Sequence, residues 1–456
     1  KLDKHGLLSI PQPSNDKSDL LNFPQWLKIA VLFQVSSMAL LSPLNQAVIN
    51  PAYVPLSVYF HIMTIQASYQ TVIAITFAGI SSFIWVPLAN TYGHRPIMLF
   101  TTLIAAASSL GSGKALTWSQ LIATCVLNGL GTSSFFTGMV SDCFFLHERG
   151  CAMGIFTVCE RRGIPFQTFS ELVAGRFLRQ YVSYRWCYHL PAVLDLAMFV
   201  VMLFCLPETL YVHGSKPVVT NKPIMCWMHL WGHCPESKHL LAMDFIHPFK
   251  MFKYPSVLFP VWYYSATFAL SSILPAVTSA TLFCALYNFK VSQTGLALGL
   301  GNLIGSTLGE LLGGVVIDCS MYLSRKGKQN DEIIIEVRLQ GIWVGAILQP
   351  IGLLIWGFCA QYKTPYIGPV MGMGVMCFAI QIISTVVYSY TADCYKPQTS
   401  KVAQVFNFGM TVGFWSIALG MKIRYQFMAV TMALVGLVSL LLVIFLMFHG
   451  KTIREK

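Results

Sequence analysis

Leu88-Ala89-Asn90-Thr91-Tyr92-Gly93-His94-Arg95-Pro96 joins two apolar runs, roughly residues 66–89 before it and 97–113 after it. Each run is long enough to cross a bilayer as a helix. A connection this short makes the two helices neighbours. Gly93 lets the backbone turn where a side chain would clash, and the positive charge holds the turn on the cytoplasmic side.

The rest of the chain agrees. It is 55% hydrophobic and only 11% charged, against roughly 25% charged for a soluble domain, and its mean hydropathy is +0.61. Globular packing cannot hide that much apolar surface, so the class is a polytopic, all-α integral membrane protein. The 456 residues accommodate about twelve spans of about 20 residues. No cleavable signal peptide is expected, because residues 1–24 are polar and the apolar run starting near Trp26 is too long for one. Thirteen cysteines suggest no disulfide framework: Cys125, Cys205, Cys284 and Cys377 sit in apolar runs, where a small buried hydrophobe is expected.

The spans read as 27–50, 66–89, 97–113, 118–141, 151–176, 189–206, 256–287, 293–317, 340–360, 366–390, 402–421 and 426–448. The longest polar stretch, 207–255, divides six spans from six, the pattern of two pseudo-symmetric six-helix bundles. The expected organisation is a cytoplasmic tail (1–26), an N-terminal bundle (27–206), a cytoplasmic linker (207–255), a C-terminal bundle (256–448) and a short cytoplasmic tail (449–456). With both termini inside, most lysines and arginines fall on the cytoplasmic side. The net charge of +12 is then the positive-inside rule at work rather than a nucleic-acid site. Internal similarity supports a duplication. The fourth span ends Ser141-Asp142-Cys143 and the tenth Ala392-Asp393-Cys394, while the eighth ends in Gly313-Gly314-Val315-Val316-Ile317-Asp318, a counterpart of the second span's Gly-bearing turn.

These residues resemble the major facilitator superfamily, in particular a fungal branch of drug:proton antiporter-like members. Leu88–Pro96 is similar to the family's loop between helices two and three. His147-Glu148-Arg149-Gly150 through Ile155 looks like the entry to helix five, and Arg185-Trp186 with Leu206-Pro207-Glu208-Thr209-Leu210-Tyr211 looks like the helix-six signature. Glu336-Val337-Arg338-Leu339 and Asp393-Cys394-Tyr395-Lys396-Pro397-Gln398 match the second half. The resemblance implies two bundles around a substrate cavity, alternating access driven by a proton gradient, and Asn90, Gly93, His94 and Arg95 as a gating loop.

An ionisable group at a helix centre costs roughly 2.5–3.5 kcal/mol on insertion scales, so each needs a partner, a cavity or a proton. Glu310 in span eight and Asp195 in span six are the proton-coupling candidates, because a carboxylate in an apolar cavity can take up and release a proton near neutral pH. Span five carries Glu160, Arg161, Arg162, Glu171 and Arg176, where related antiporters are rich in Gly and Pro. The resemblance also puts Cys125 where relatives carry a helix-four arginine and Asn90 where they carry an aspartate. Span eleven, around Phe406–Gly413, reads about one turn short. These departures leave open whether coupling survives.

The polar groups left to line a cavity are Asn45, Gln46, Gln70, Asn128, Asn302, Gln381 and Tyr388, with Tyr263 and Tyr264 placed to stack on an aromatic substrate. None of them is charged, so the expected partner is a neutral or amphipathic small molecule, with protons, and no cofactor. Cys226, His229, His233 and Cys234 in the linker lack an established zinc spacing, and no Walker A motif points to ATP. The function expected is non-enzymatic: proton-coupled efflux of a metabolite, toxin or drug by a monomer in the plasma membrane. An internal membrane, an importer and a non-transporting family member are the alternatives.

Overall fold

The computed structural model of the chain describes residues 24–132, 185–209, 242–289, 291–327, 335–395, 399–412 and 425–454, and every long element among them is helical. In the first half these are α1 (Gln25–Ala47), α2 (Tyr53–Phe60), α3 (Thr64–Tyr92), α4 (His94–Lys114), α5 (Trp118–Gly131) and α6 (Trp186–Cys205). The second half has α7 (Pro255–Phe268), α8 (Leu274–Tyr287), α9 (Val291–Gly327), α10 (Ile342–Gln361), α11 (Ile367–Cys394), α12 (Thr399–Val412) and α13 (Tyr425–Arg454). Among the described residues, 8 helices are long and apolar enough to cross a membrane. The expected spans coincide with described helices or helix beginnings except for the fifth, 151–176, which lies outside the described residues.

Two local features follow from sequence chemistry. A five-residue π-helix, Ala269–Ile273, separates α7 from α8. Pro275, at the start of α8, offers no N–H to the carbonyl four residues earlier and its ring crowds that carbonyl, so the helix is irregular beside it. α9 runs on to Gly327, beyond the expected end at 317. Its 37 residues make a helix of roughly 55 Å, longer than the roughly 30 Å hydrocarbon core, and the polar Ser-Arg-Lys segment continues it outside.

α4 packs on α6, α3 and α5, and α1 on α6; in the second half α11 packs on both α9 and α10, while α13 packs on α7 and α10. Lipid tails are as apolar as leucine, so close backbone approach rather than water exclusion holds such helices together. Gly301, Gly305, Gly309 and Gly313 form one stripe of α9 against α11. A Cβ at Gly301 would meet the Val370 carbonyl oxygen at 2.7 Å, and one at Gly309 the Phe378 carbonyl oxygen at 2.7 Å. At Gly305 the obstruction is the backbone of Gly374.

Among the described residues the two halves meet most extensively where α3 packs on α12, and again where α8 touches α2 and α3. Phe83 of α3 stacks on Phe249 at 4.4 Å between centroids and meets Phe408 of α12 edge-on at 5.4 Å. Phe252 closes the cluster, 5.9 Å from Phe408. Phe249 and Phe252 lie on a 3-10 segment, His247–Lys253, at the end of the linker.

The cysteines divide. Cys125 and Cys377 are buried as expected and Cys284 is half-buried, but Cys205, in the last turn of α6, is exposed.

Candidate functional site

The Leu88–Pro96 turn is held by a residue far along the chain. Gly93 has φ +107°, a conformation that strains any residue with a Cβ. A Cβ there would also lie 2.6 Å from Oε2 of Glu208. The carboxylate occupies that place because the backbone N–H groups of His94 and Arg95, at the start of α4, donate to its two oxygens at 2.9 and 3.3 Å. A helix N-terminus leaves such N–H groups unpaired and favours a negative charge beside them. The Arg95 guanidinium is attracted by Glu208 and donates to the Leu203 carbonyl at 2.8 Å. The His94 ring bridges Thr209 Oγ1, at 2.9 Å, and Asn90 Oδ1, at 3.4 Å. Asn90, Gly93, His94 and Arg95 therefore come together at the mouth of α6. In the second half, Arg338 pairs with Asp393 at 2.8 Å, joining two segments that also carried the resemblance.

Deeper in the first half, one chain of hydrogen bonds runs through four helices. Asn45 of α1 donates from Nδ2 to both oxygens of Asp195 on α6, at 3.1 and 2.9 Å, and to the Leu41 carbonyl. Its Oδ1 accepts from the Ser109 hydroxyl of α4 at 3.0 Å. Ser109 in turn accepts from Asn128 Nδ2 of α5 at 2.8 Å. Asp195 is only 1% exposed and is a partnered group rather than an isolated carboxylate. Gln46 reaches Thr132 Oγ1 at 3.2 Å, and Gln70 of α3 accepts from the Tyr188 hydroxyl.

Two small cavities flank this chain. Asn45, Gln70, Ser109, Cys125, Asn128 and Tyr188 line one of them, and Ser42, Asn45, Thr132 and Asp195 line the other. Asn45 forms the wall between the two. The first has room for ordered water but not for an organic solute. Asn45, Gln46, Gln70 and Asn128, named from sequence, thus converge on one cavity, while Ser109, Ser112 and Tyr188 join them unforeseen. Ser108, Ser109 and Ser112, two of them a turn apart on an otherwise apolar helix, were the available signal.

The second-half candidates scatter. Tyr263 is fully buried in the packing core and cannot offer a ring face to a ligand in this state. Tyr264 and Tyr388 do meet, 5.7 Å apart, in an aromatic cluster completed by Phe406, which stacks on Tyr388 at 4.3 Å. Asn302 accepts from the Cys377 thiol at 3.2 Å across the α9–α11 contact, and Gln381 is buried in the same seam beside Gly309. Glu310, the next residue of α9, is half-buried. The charged residues of span five and the Cys226, His229, His233 and Cys234 cluster lie outside the described residues.

Comparison with known proteins gives a consistent picture. The profile described as Major Facilitator Superfamily matches residues 35–421. The "Efflux pump vrtL" of Penicillium aethiopicum is 27% identical over 395 residues, covering 84% of this chain and 76% of that one. The "MFS antiporter QDR2" of Candida albicans is 23% identical over 441 residues, 90% of this chain and 85% of that one. The crystal structure of the human organic anion transporter MFSD10 (TETRAN) superposes with a TM-score of 0.53 at 14% identity, over 91% of this chain and 99% of that chain. At that identity the likeness is one of fold.

Proposed function

The chain belongs to the Major Facilitator Superfamily and is a non-enzymatic, multi-pass membrane transporter, and we propose that it expels a small neutral or amphipathic organic molecule in exchange for protons. The observation that carries the coupling is Asp195, a buried carboxylate behind Asn45 at the wall of a polar cavity. A carboxylate in that position is the kind of group that carries a proton through a bundle. Glu310, half-buried on the opposite half, is the second candidate. Efflux is supported by relatives whose names describe an efflux pump and an antiporter. The substrate class is supported by the division of the interior: neutral amides and hydroxyls in the first half, and the Tyr264–Tyr388–Phe406 rings in the second. We place both termini in the cytoplasm on the strength of the charge distribution, and the working unit as a monomer in the plasma membrane.

The test is flux of a panel of neutral aromatic compounds in reconstituted vesicles with an imposed pH gradient. Gradient-driven flux is expected from the unmodified chain and is expected to be lost in Asp195→Asn. Driven flux that survives Asp195→Asn combined with Glu310→Gln would overturn the coupling role of these two carboxylates, and flux from the unmodified chain that ignores the gradient would overturn proton coupling. An unmodified chain that moves none of the panel would favour a non-transporting member instead.

A further inference from the structure

Among the described residues, the first-half cavity carries two buried polar atoms with no hydrogen-bond partner, Nε2 of Gln70 and Oδ1 of Asn128. Gln70 is 1% exposed and Asn128 is 6% exposed. An unpaired buried donor or acceptor is costly enough that native structures rarely keep one without a use. These two lie on different helices, α3 and α5, yet line the same space.

Their polarity is set by their neighbours. In its ionised state Asp195 offers Asn45 only acceptors, so Asn45 turns its Nδ2 toward the carboxylate and the Leu41 carbonyl. That leaves Asn45 Oδ1 facing Ser109, which must donate to it. Ser109 has spent its one proton and so accepts from Asn128 Nδ2. Asn128 Oδ1 is therefore left as an acceptor facing the cavity. On the other wall the Tyr188 hydroxyl donates to Gln70 Oε1, leaving the Gln70 amide N–H as the donor. Among the described residues, Cys125 and the amide and hydroxyl side chains around it bring no full charge to this space.

We propose that Gln70 and Asn128 form the recognition pair for the substrate's polar end, and that this end is a neutral group carrying an acceptor beside a donor, of which a cis-amide or lactam is the plainest case. The ligand carbonyl accepts from Gln70 Nε2, and the ligand N–H donates to Asn128 Oδ1. The assignment rests on the transporter reading above and narrows it. A carboxylate would meet the Asn128 oxygen with a second acceptor. A quaternary ammonium would leave the Gln70 N–H unanswered. In this conformation the pair faces only water-sized space, which the ligand's polar end replaces when the cavity opens.

The experiment uses the full chain in lipid nanodiscs with no gradient, and two probes: 2-quinolinone, an aromatic lactam, and N-methyl-2-quinolinone, which keeps the carbonyl and rings but lacks the N–H. Equilibrium binding, read by tryptophan fluorescence, is expected to be at least about tenfold tighter for 2-quinolinone, the scale of one buried hydrogen bond with its partner left orphaned. Asn128→Leu is expected to remove that discrimination, and Gln70→Leu to weaken both probes. Equal binding of the two probes, no binding of 2-quinolinone, or discrimination that persists in Asn128→Leu would each overturn the assignment. The two-probe comparison needs no variant, so it holds even if one fails to fold. Because no gradient is applied, a failure of proton coupling leaves this result unchanged. Absence of discrimination in the unmodified chain, with gradient-driven flux intact, would refute the recognition pair and spare the transporter reading.

Discussion

Asn45 Nδ2 sits between both carboxylate oxygens of Asp195, at 3.1 and 2.9 Å, linking residues 150 positions apart. The same amide separates the two first-half cavities. Asn45→Ala would leave a buried carboxylate without its amide donor and the Ser109 hydroxyl without its acceptor. We expect a loss of about 1–3 kcal/mol for each group left unsatisfied, measurable as a lowered midpoint of thermal unfolding in detergent. Asp195→Asn keeps the size and an acceptor at the same place, so its unfolding midpoint should fall much less. Equal destabilisation by the two changes would contradict this account of the pair.

Gly93 and Glu208 form the second relationship on which the structure depends. Gly93→Ala faces both a positive φ and a carboxylate oxygen 2.6 Å from the new Cβ. Strained backbone of this kind costs about 1–3 kcal/mol. Glu208→Ala removes the acceptor from the first N–H groups of α4, a loss of about 0.5–2 kcal/mol by analogy with helix caps. Glu208→Gln retains an acceptor and should fall between Glu208→Ala and the unmodified chain. Yield of folded protein after mild detergent extraction, together with the unfolding midpoint, would order the variants. A Gly93→Ala protein as stable as the parent would show that the turn has another way to relax.

Much of this fold is legible in the sequence because apolar run length and turn chemistry are local properties. The Leu88–Pro96 turn, the spans that fall on described helices and the family all follow from them. What hydropathy does not encode is which faces meet. Tyr263 and Tyr264 are neighbours in sequence and both buried, yet Tyr264 meets Tyr388 and Phe406 while Tyr263 packs elsewhere in the same core, because adjacent helical residues point about 100° apart. Glu208 looked like part of a helix-six signature, and only the fold brings it to Gly93, 115 positions away. Asn302 looked like a cavity residue and instead joins the α9–α11 seam. The four-residue repeat Gly301, Gly305, Gly309 and Gly313 was the readable sign of that seam.

That seam gives a graded prediction. Gly305→Ala would push a methyl group into the Gly374 backbone, which cannot rotate away as a side chain can. Forcing the helices apart should cost about 1–3 kcal/mol, the scale of overpacking. Gly314 lies on the same helix with nothing within 4 Å of its Cβ position, so Gly314→Ala should be neutral or stabilising by up to about 1 kcal/mol through helix propensity. The pair controls for composition, since both changes add one methyl group to one helix. Matching unfolding midpoints for the two variants would rule out close backbone packing as the function of the stripe.

The aromatic cluster of Phe83, Phe249, Phe252 and Phe408 joins the halves at the end that carries the Leu88–Pro96 turn. Phe83 makes two of its contacts, one stacked at 4.4 Å and one edge-on at 5.4 Å. Each such pair contributes about 0.5–1.5 kcal/mol beyond area burial, so removing both shifts a closed-to-open balance by about 1–3 kcal/mol. A factor of ten corresponds to about 1.4 kcal/mol. In a background whose only thiol is Cys125, which lines the first-half cavity, Phe83→Ala should therefore accelerate modification by an impermeant maleimide by about fivefold to a hundredfold. The reagent is applied from the side that carries the turn. Phe445→Ala is the control, because its ring meets Phe259 within the second half, away from the junction, and it should leave the rate unchanged. If Phe83→Ala labels at the parental rate, the cluster is packing without a gate. If both variants accelerate labelling equally, the effect is general loosening, and the barrier between this end and the cavity lies elsewhere.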